Sequence, residues 1–200
     1  MSAIMPAIAR VWPRTSTQPY TGAGHAYLPI VMRFGSQKEP TMSDWIEAGQ
    51  PAPDFTLTAT DGTEIGLTEL RGAPVVLYFY PKDDTPGCTK EACAFRDRQS
   101  EIQATGARVF GVSPDDIDSH QAFSSKFNLN FPLLSDPDHA VAEKYGAWRE
   151  KNRYGKKSMG IQRSTFIIDA EGTVVKMWKA VQVDGHDDKV IEALQALPSA

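Results

Sequence analysis

Two hundred residues, 41% hydrophobic and 23% charged, suffice for one well-cored domain, whereas two full domains would each be small at this length. The formal charge of −4 conceals an asymmetry: residues 1–41 hold four of the 21 basic and one of the 25 acidic residues, so the remainder carries 17 against 24, a net −7. An acidic body without a dense basic stripe argues against nucleic acid as the main ligand, and the longest apolar run, residues 75–80, is far short of the roughly 20 residues that cross a bilayer, so a soluble protein is expected.

In chain order, residues 1–41 show no sustained apolar period and read as a disordered extension, either a tail or the product of a misassigned start at Met1 rather than Met42. They carry Arg10, Arg14 and Arg33 with no acid before Glu39, which leaves organellar targeting as the alternative to a cytoplasmic protein, but they lack the apolar stretch and cleavage site of a secretory signal. The domain proper is expected over residues 42–200. Phe55, Leu57 and Ala59 alternate ahead of an Asp61-Gly62 turn, which predicts a hairpin with residues 64–67, followed by a short helical turn from Thr68. Residues 75–80 are continuously apolar and rich in β-branched and aromatic side chains, the pattern of a strand buried on both faces and therefore of the central strand. Residues 88–103 contain neither Pro nor Gly, keep Cys88, Ala92, Phe95 and Ile102 near one face and stop at Gly106, which predicts a helix of about four turns. A strand over 107–113, a helix over 116–127, a short strand near 131–134 and a helix over 138–145 follow. The basic stretch from Arg149 to Lys157 reads as a solvated loop. Strands over 164–169 and 173–179 around the Glu171-Gly172 turn, then a helix over 187–197, complete an alternation that implies a layered α/β domain.

Cysteine usage narrows the chemistry. Only Cys88 and Cys93 occur, which rules out a disulfide framework. A zinc site would need two further ligands, and His25, His120, His139 and His186 show neither mutual spacing nor proximity to the cysteine pair. Cys88 falls where the central strand hands over to the long helix, and ligands bind at the carboxyl ends of strands in such sheets. At the first turn of a helix it meets unpaired amide NH groups and the positive end of the helix dipole, both of which favour thiolate, the attacking form, over thiol. The competing reading makes Cys88 a small buried hydrophobe. Cys93 lies five residues on, which in an ideal helix places the two Cα atoms roughly 8.7 Å apart and about 140° around the axis. A disulfide needs less than about 7 Å, so these two sulfurs can bond only if the first turns unwind. Such a pair suits a stepwise cycle in which one sulfur is oxidised and the other condenses with it; the alternative is that Cys93 merely packs the helix.

Pro81-x-x-x-Thr85-x-x-Cys88 resembles the peroxiredoxin active-site motif, and residues 85–93, Thr-Pro-Gly-Cys-Thr-Lys-Glu-Ala-Cys, resemble the peroxiredoxin Q, or bacterioferritin comigratory protein, subgroup. The similarity continues through Pro51-Ala52-Pro53-Asp54-Phe55, Phe131-Pro132-Leu133-Leu134-Ser135-Asp136 and Arg163-Ser164-Thr165-Phe166-Ile167-Ile168-Asp169, and spans about residues 45–197. The resemblance implies a thioredoxin-like α/β fold with a central mixed sheet flanked by helices. It also implies a thiol peroxidase that acts on hydrogen peroxide and organic hydroperoxides, with Cys88 peroxidatic and Cys93 resolving. In such an enzyme the Thr85 hydroxyl and the Cys88 amide polarise the peroxide, Pro81 shields the sulfur from water, and the Arg163 guanidinium holds the thiolate and the developing charge. Thioredoxin or a similar dithiol would reduce the product; no metal, haem or flavin is implied, and a monomer is expected. Two rivals stay open: a general disulfide reductase, which would need a C-x-x-C that is absent, and a non-enzymatic module in which oxidation of Cys88 only alters helix 88–103. Asp83-Asp84 reads as solvated charge, and Glu91 either orients Arg163 or lies on the helix surface.

Overall fold

The structure, a computed structural model, describes residues 44–153 and 155–198; the extension expected over residues 1–41 lies outside them. The chain order is β1 (Thr56–Ala59), β2 (Glu64–Gly66), a 3-10 turn (Leu67–Leu70), β3 (Val75–Phe79), α1 (Pro86–Asp97), α2 (Gln99–Ala104), β4 (Arg108–Ser113), α3 (Ile117–Phe127), β5 (Leu133–Ser135), α4 (Ala140–Lys144), β6 (Trp148–Arg153), β7 (Lys156–Ile161), β8 (Ser164–Ile168), β9 (Val174–Trp178) and α5 (His186–Gln195). Seven strands form one sheet in the order β2-β1-β5-β4-β3-β8-β9. β3 pairs parallel with β4 and β4 with β5, while β1–β2, β1–β5, β3–β8 and β8–β9 are antiparallel, so the sheet is mixed as expected.

The continuous apolar run of β3 is explained by its interior position between β4 and β8, with all five residues buried. Alternation of its side chains divides the core. Val75, Leu77 and Phe79 face one apolar cluster with Phe110, Phe166 and Tyr145. Val76, Tyr78 and Tyr80 face the other, which contains Cys88, Ala92 and Phe95 of α1 and Val190, Ile191 and Leu194 of α5. Burying each such large side chain contributes roughly 1.5–3 kcal/mol, so β3 is the element on which both helical layers depend. The layered α/β arrangement follows directly, with α1 and α5 on one face and α4 on the other.

Two expectations are corrected. The single helix over 88–103 is in fact α1 and α2, separated at Arg98, whose φ of −100° and ψ of 8° leave the helical region. The side chain of Arg98 bonds Glu101 at 2.6 Å and Asp188 at 2.6 Å, and also approaches Asp187 at 3.6 Å. This tertiary tie to α5 meets the chain where its helix breaks, in a stretch with no Pro or Gly to mark it. The solvated loop at Arg149 to Lys157 is an antiparallel hairpin, β6–β7, registered from Trp148 opposite Ile161 to Arg153 opposite Lys156. Its charged composition hides any period-2 signal. The hairpin is anchored at its base, where Ile161 is buried and Trp148 stacks on His139 with ring centroids 3.7 Å apart.

Candidate active site

The chain leaves the carboxyl end of β3 at Phe79, crosses residues 80–85 and enters α1 with Thr85 in extended conformation at the N-cap and Pro86 in the first turn. Proline suits this place because its fixed φ matches the helix and its missing NH would have been unpaired anyway. No side chain caps α1. The first intrahelical bond runs from the Thr89 amide to the Thr85 carbonyl at 2.8 Å, which leaves the Gly87 and Cys88 amides on the open first turn. Cys88 therefore stands at the positive end of the helix, as the sequence indicated, and its side chain is buried, with the residue 2% exposed.

Arg163, immediately before β8, comes to the same point because β8 runs antiparallel beside β3 with Ser164 opposite Phe79. Its Nη2 donates to the Cys88 Sγ at 3.2 Å, and its Nη1 pairs with Glu91 Oε2. Gly87 keeps this approach open: a Cβ there would lie 3.2 Å from Arg163 Nη2. Burial works against the Arg163 charge, but the negative partners Glu91 and Cys88 outweigh it and hold the guanidinium above its ordinary value. Glu91 is 2% exposed, and burial, opposed by Arg163, pushes its carboxyl up to about 7. Of the two readings left open for Glu91, the structure gives the one in which it orients Arg163.

The remaining expected residues distribute as follows. Pro81 is half-buried and, with Arg163, Gln162, Val181 and the β6 residues Glu150, Lys151 and Asn152, lines a depression of about 530 Å³. The Thr85 hydroxyl donates to the Lys82 carbonyl at 3.1 Å, so its proton closes the loop on itself in this state. Cys93 is half-buried about one and a half turns beyond Cys88 on α1, and both sulfurs are free.

Asp83 is where the sequence reading was wrong. It is not solvated but 6% exposed, and its carboxylate accepts from Tyr80 Oη at 2.7 Å, Ser119 Oγ at 2.8 Å and His120 Nδ1 at 2.8 Å. Burial alone would raise its pKa, but the bonds from His120, Tyr80 and Ser119 prevail and hold it below the usual carboxylate range. Its neighbour Asp84 does behave as expected, exposed and paired with Lys126 at 2.6 Å. A signal for this cluster was available: His120 lies three residues before the buried Phe123 on α3, and a histidine on the apolar stripe of a helix needs a buried polar partner.

The model of the AhpC/TSA family matches residues 48–177. Peroxiredoxin Bcp of Bacillus subtilis is 49% identical over 152 residues, which are 76% of this chain and 95% of that protein. Peroxiredoxin Bcp of Xanthomonas campestris is 45% identical over 143 residues, 72% of this chain and 89% of its own. A solved structure of Xanthomonas campestris peroxiredoxin Q superposes with a TM-score of 0.71 at 43% identity, covering 74% of this chain and 97% of the other. Another, of the Xanthomonas campestris bacterioferritin comigratory protein, concerns its alkyl peroxide reduction activity; it gives 0.71 at 43% identity over 75% of this chain and 98% of that one.

Proposed function

The chain belongs to the AhpC/TSA family as a thioredoxin-like peroxiredoxin of the Bcp, or peroxiredoxin Q, type, a thiol-dependent peroxidase, and from that premise we propose that Cys88 attacks the hydroperoxide and Cys93 resolves the oxidised sulfur. The observation that carries this reading is the Arg163 Nη2 contact to the Cys88 sulfur, 3.2 Å, at the uncapped start of α1. A guanidinium and a helix terminus at one sulfur favour the thiolate, and the same groups face the negative charge that develops as the peroxide bond breaks.

In the first step the Cys88 thiolate takes the terminal peroxide oxygen and the O–O bond breaks. The departing oxygen leaves with a proton as water or alcohol, and Cys88 sulfenic acid remains. The Cys88 amide donates to the bound peroxide, and the Thr85 hydroxyl turns from Lys82 to do the same. Pro81 restricts water at the sulfur. Arg163 neutralises charge throughout, held in place by Glu91. In the second step the Cys93 thiolate attacks the Cys88 sulfur and expels the hydroxyl as water, forming an 88–93 disulfide once α1 has opened. Thioredoxin or a comparable dithiol then reduces that bond by exchange. Organic hydroperoxides as well as hydrogen peroxide are substrates in this reading, supported by the alkyl peroxide activity named for the Xanthomonas campestris relative. A monomeric catalytic domain over residues 42–200, acting in the cytoplasm, belongs to the same proposal. Among the described residues no helix is long and apolar enough to cross a membrane.

Mass spectrometry of the peroxide-treated protein tests the assignment. The expected product is an 88-to-93 bond within one chain. Cys88→Ser should abolish turnover because the alcohol is scarcely ionised. Cys93→Ser should keep the first reaction, accumulate Cys88 sulfenic acid and fail to cycle with thioredoxin. A disulfide found only between chains, or none, would make Cys93 a packing residue.

A further inference from the structure

The loop that delivers Cys88 has little holding it within itself. Between Tyr80 and α1, residues 81–85 contain Asp84 with φ of 53°, in the left-handed region, and one internal side-chain bond, from Thr85 to Lys82. Its order comes from outside. The Asp83 carboxylate accepts three side-chain donors, two of them from the first turns of α3, Ser119 and His120. The Asp83 amide donates to Asp115 Oδ2 at 2.8 Å, and that same oxygen accepts from Ser113 Oγ at 2.7 Å at the end of β4. α3 in turn is fixed at its start by Asp116, whose side chain accepts from the Ser119 amide at 2.9 Å. A carboxylate buried to this degree would be costly without partners, and charge-assisted bonds to three donors offset that cost.

On the other side of Thr85 the situation reverses: α1 begins without a side-chain cap. The chain therefore passes within a few residues from a segment tied into a buried network to a helix start that no side chain caps, where Arg163 on the Cys88 sulfur is the polar side-chain tie. Resting on the function proposed above, in which α1 must open for Cys93 to reach Cys88, we propose that Asp83 is a positioning residue that holds the Pro81–Thr85 loop in its peroxide-binding geometry and sets the limit at which unwinding of α1 stops. Opening then begins at residue 86, Pro81 and Thr85 keep their places, and re-reduction returns the sulfur to Arg163 without rebuilding the loop.

The experiment compares two reactions of Cys88 in the reduced protein. Peroxide oxidation needs the placed loop, whereas alkylation by iodoacetamide needs the thiolate and no peroxide geometry. Asp83→Asn, which keeps the shape but removes the charge, should slow peroxide oxidation by about tenfold or more and leave alkylation within about twofold of wild type. Ser119→Ala, which removes one donor of three and leaves the carboxylate, should show the same split more weakly and decides the matter if the Asn variant does not fold. Hydrogen exchange in the oxidised wild type should rise over residues 86–96 and stay protected over 81–85, while Asp83→Asn exchanges quickly over 81–85 even when reduced. A wild-type peroxide rate in both variants, an equal fall of both reactions, or joint opening of 81–85 and 86–96 in the wild type would each overturn the inference. Failure of wild-type Cys88 to react with peroxide would instead overturn the proposed function.

Discussion

Arg163 serves two negative partners at once, one nitrogen on the Cys88 sulfur and another on Glu91. Removing it in Arg163→Ala should slow the peroxide step by about a hundredfold or more, the scale of losing one charge-stabilising donor, and should also slow alkylation of Cys88 at neutral pH. Arg163→Lys should recover only part, because an ammonium cannot reach both partners with a planar fork. Stopped-flow oxidation and iodoacetamide rates on the two variants check this; wild-type rates in Arg163→Ala would refute the role. Glu91 makes a separate expectation at the same scale. Its folded value, raised to about 7 from 4.5, means that the folded state keeps a proton which the unfolded chain gives up first. Its contribution to stability is therefore full below pH 4.5 and lost as pH rises through 7. Glu91→Gln cannot ionise, so urea unfolding of that variant at pH 5 and pH 8 should lack this decline, and its stability relative to wild type should improve toward pH 8.

At the scale of elements, α1 is asked both to hold the sulfur and to release it. Its inner face is well buried by Cys88, Glu91, Ala92 and Phe95, and beyond Asp97 the chain is tied to α5 through Arg98. Nearer the start, the link to the α5 side is the exposed pair of Lys90 and Asp184, of a kind that contributes little. Local opening draws on the low-stability end of a structure, which here is the first turns rather than the last. Amide exchange over residues 86–96 should therefore be faster in the oxidised than the reduced protein, with β3, buried throughout, little changed. Unaltered exchange in α1 after oxidation would mean that Cys93 reaches Cys88 by another route.

For the molecule as a whole, the sheet has to carry the site on one face while packing closely on both. Gly111 of β4 shows how tight that packing is: a Cβ there would come within 2.7 Å of the Tyr78 ring and 2.8 Å of Leu133. Gly111→Ala should cost about 1–3 kcal/mol by overpacking. Tyr78 lies in the same cluster as Cys88 and Phe95, so the variant should also slow the peroxide step. Denaturant unfolding with the peroxide rate measured on the same preparation checks both, and full stability in the variant would show that the face yields more than its contacts suggest.

The local pattern of the chain determined a good deal. Six uninterrupted apolar residues, five of them β-branched or aromatic, require a strand buried on both faces, and a cysteine behind Thr-Pro-Gly at a helix start requires the electropositive first turn; both signals arise within a few residues, where backbone preference and side-chain period act directly. Tertiary structure decided what depends on partners distant in sequence. The break at Arg98 goes with acids 90 residues away, the β6–β7 hairpin stands because Trp148 finds His139, and Asp83 is buried because α3 offers it two donors about 36 residues on. A charged residue carries the same composition whether water or a buried network surrounds it, and only the fold determines which donors arrive.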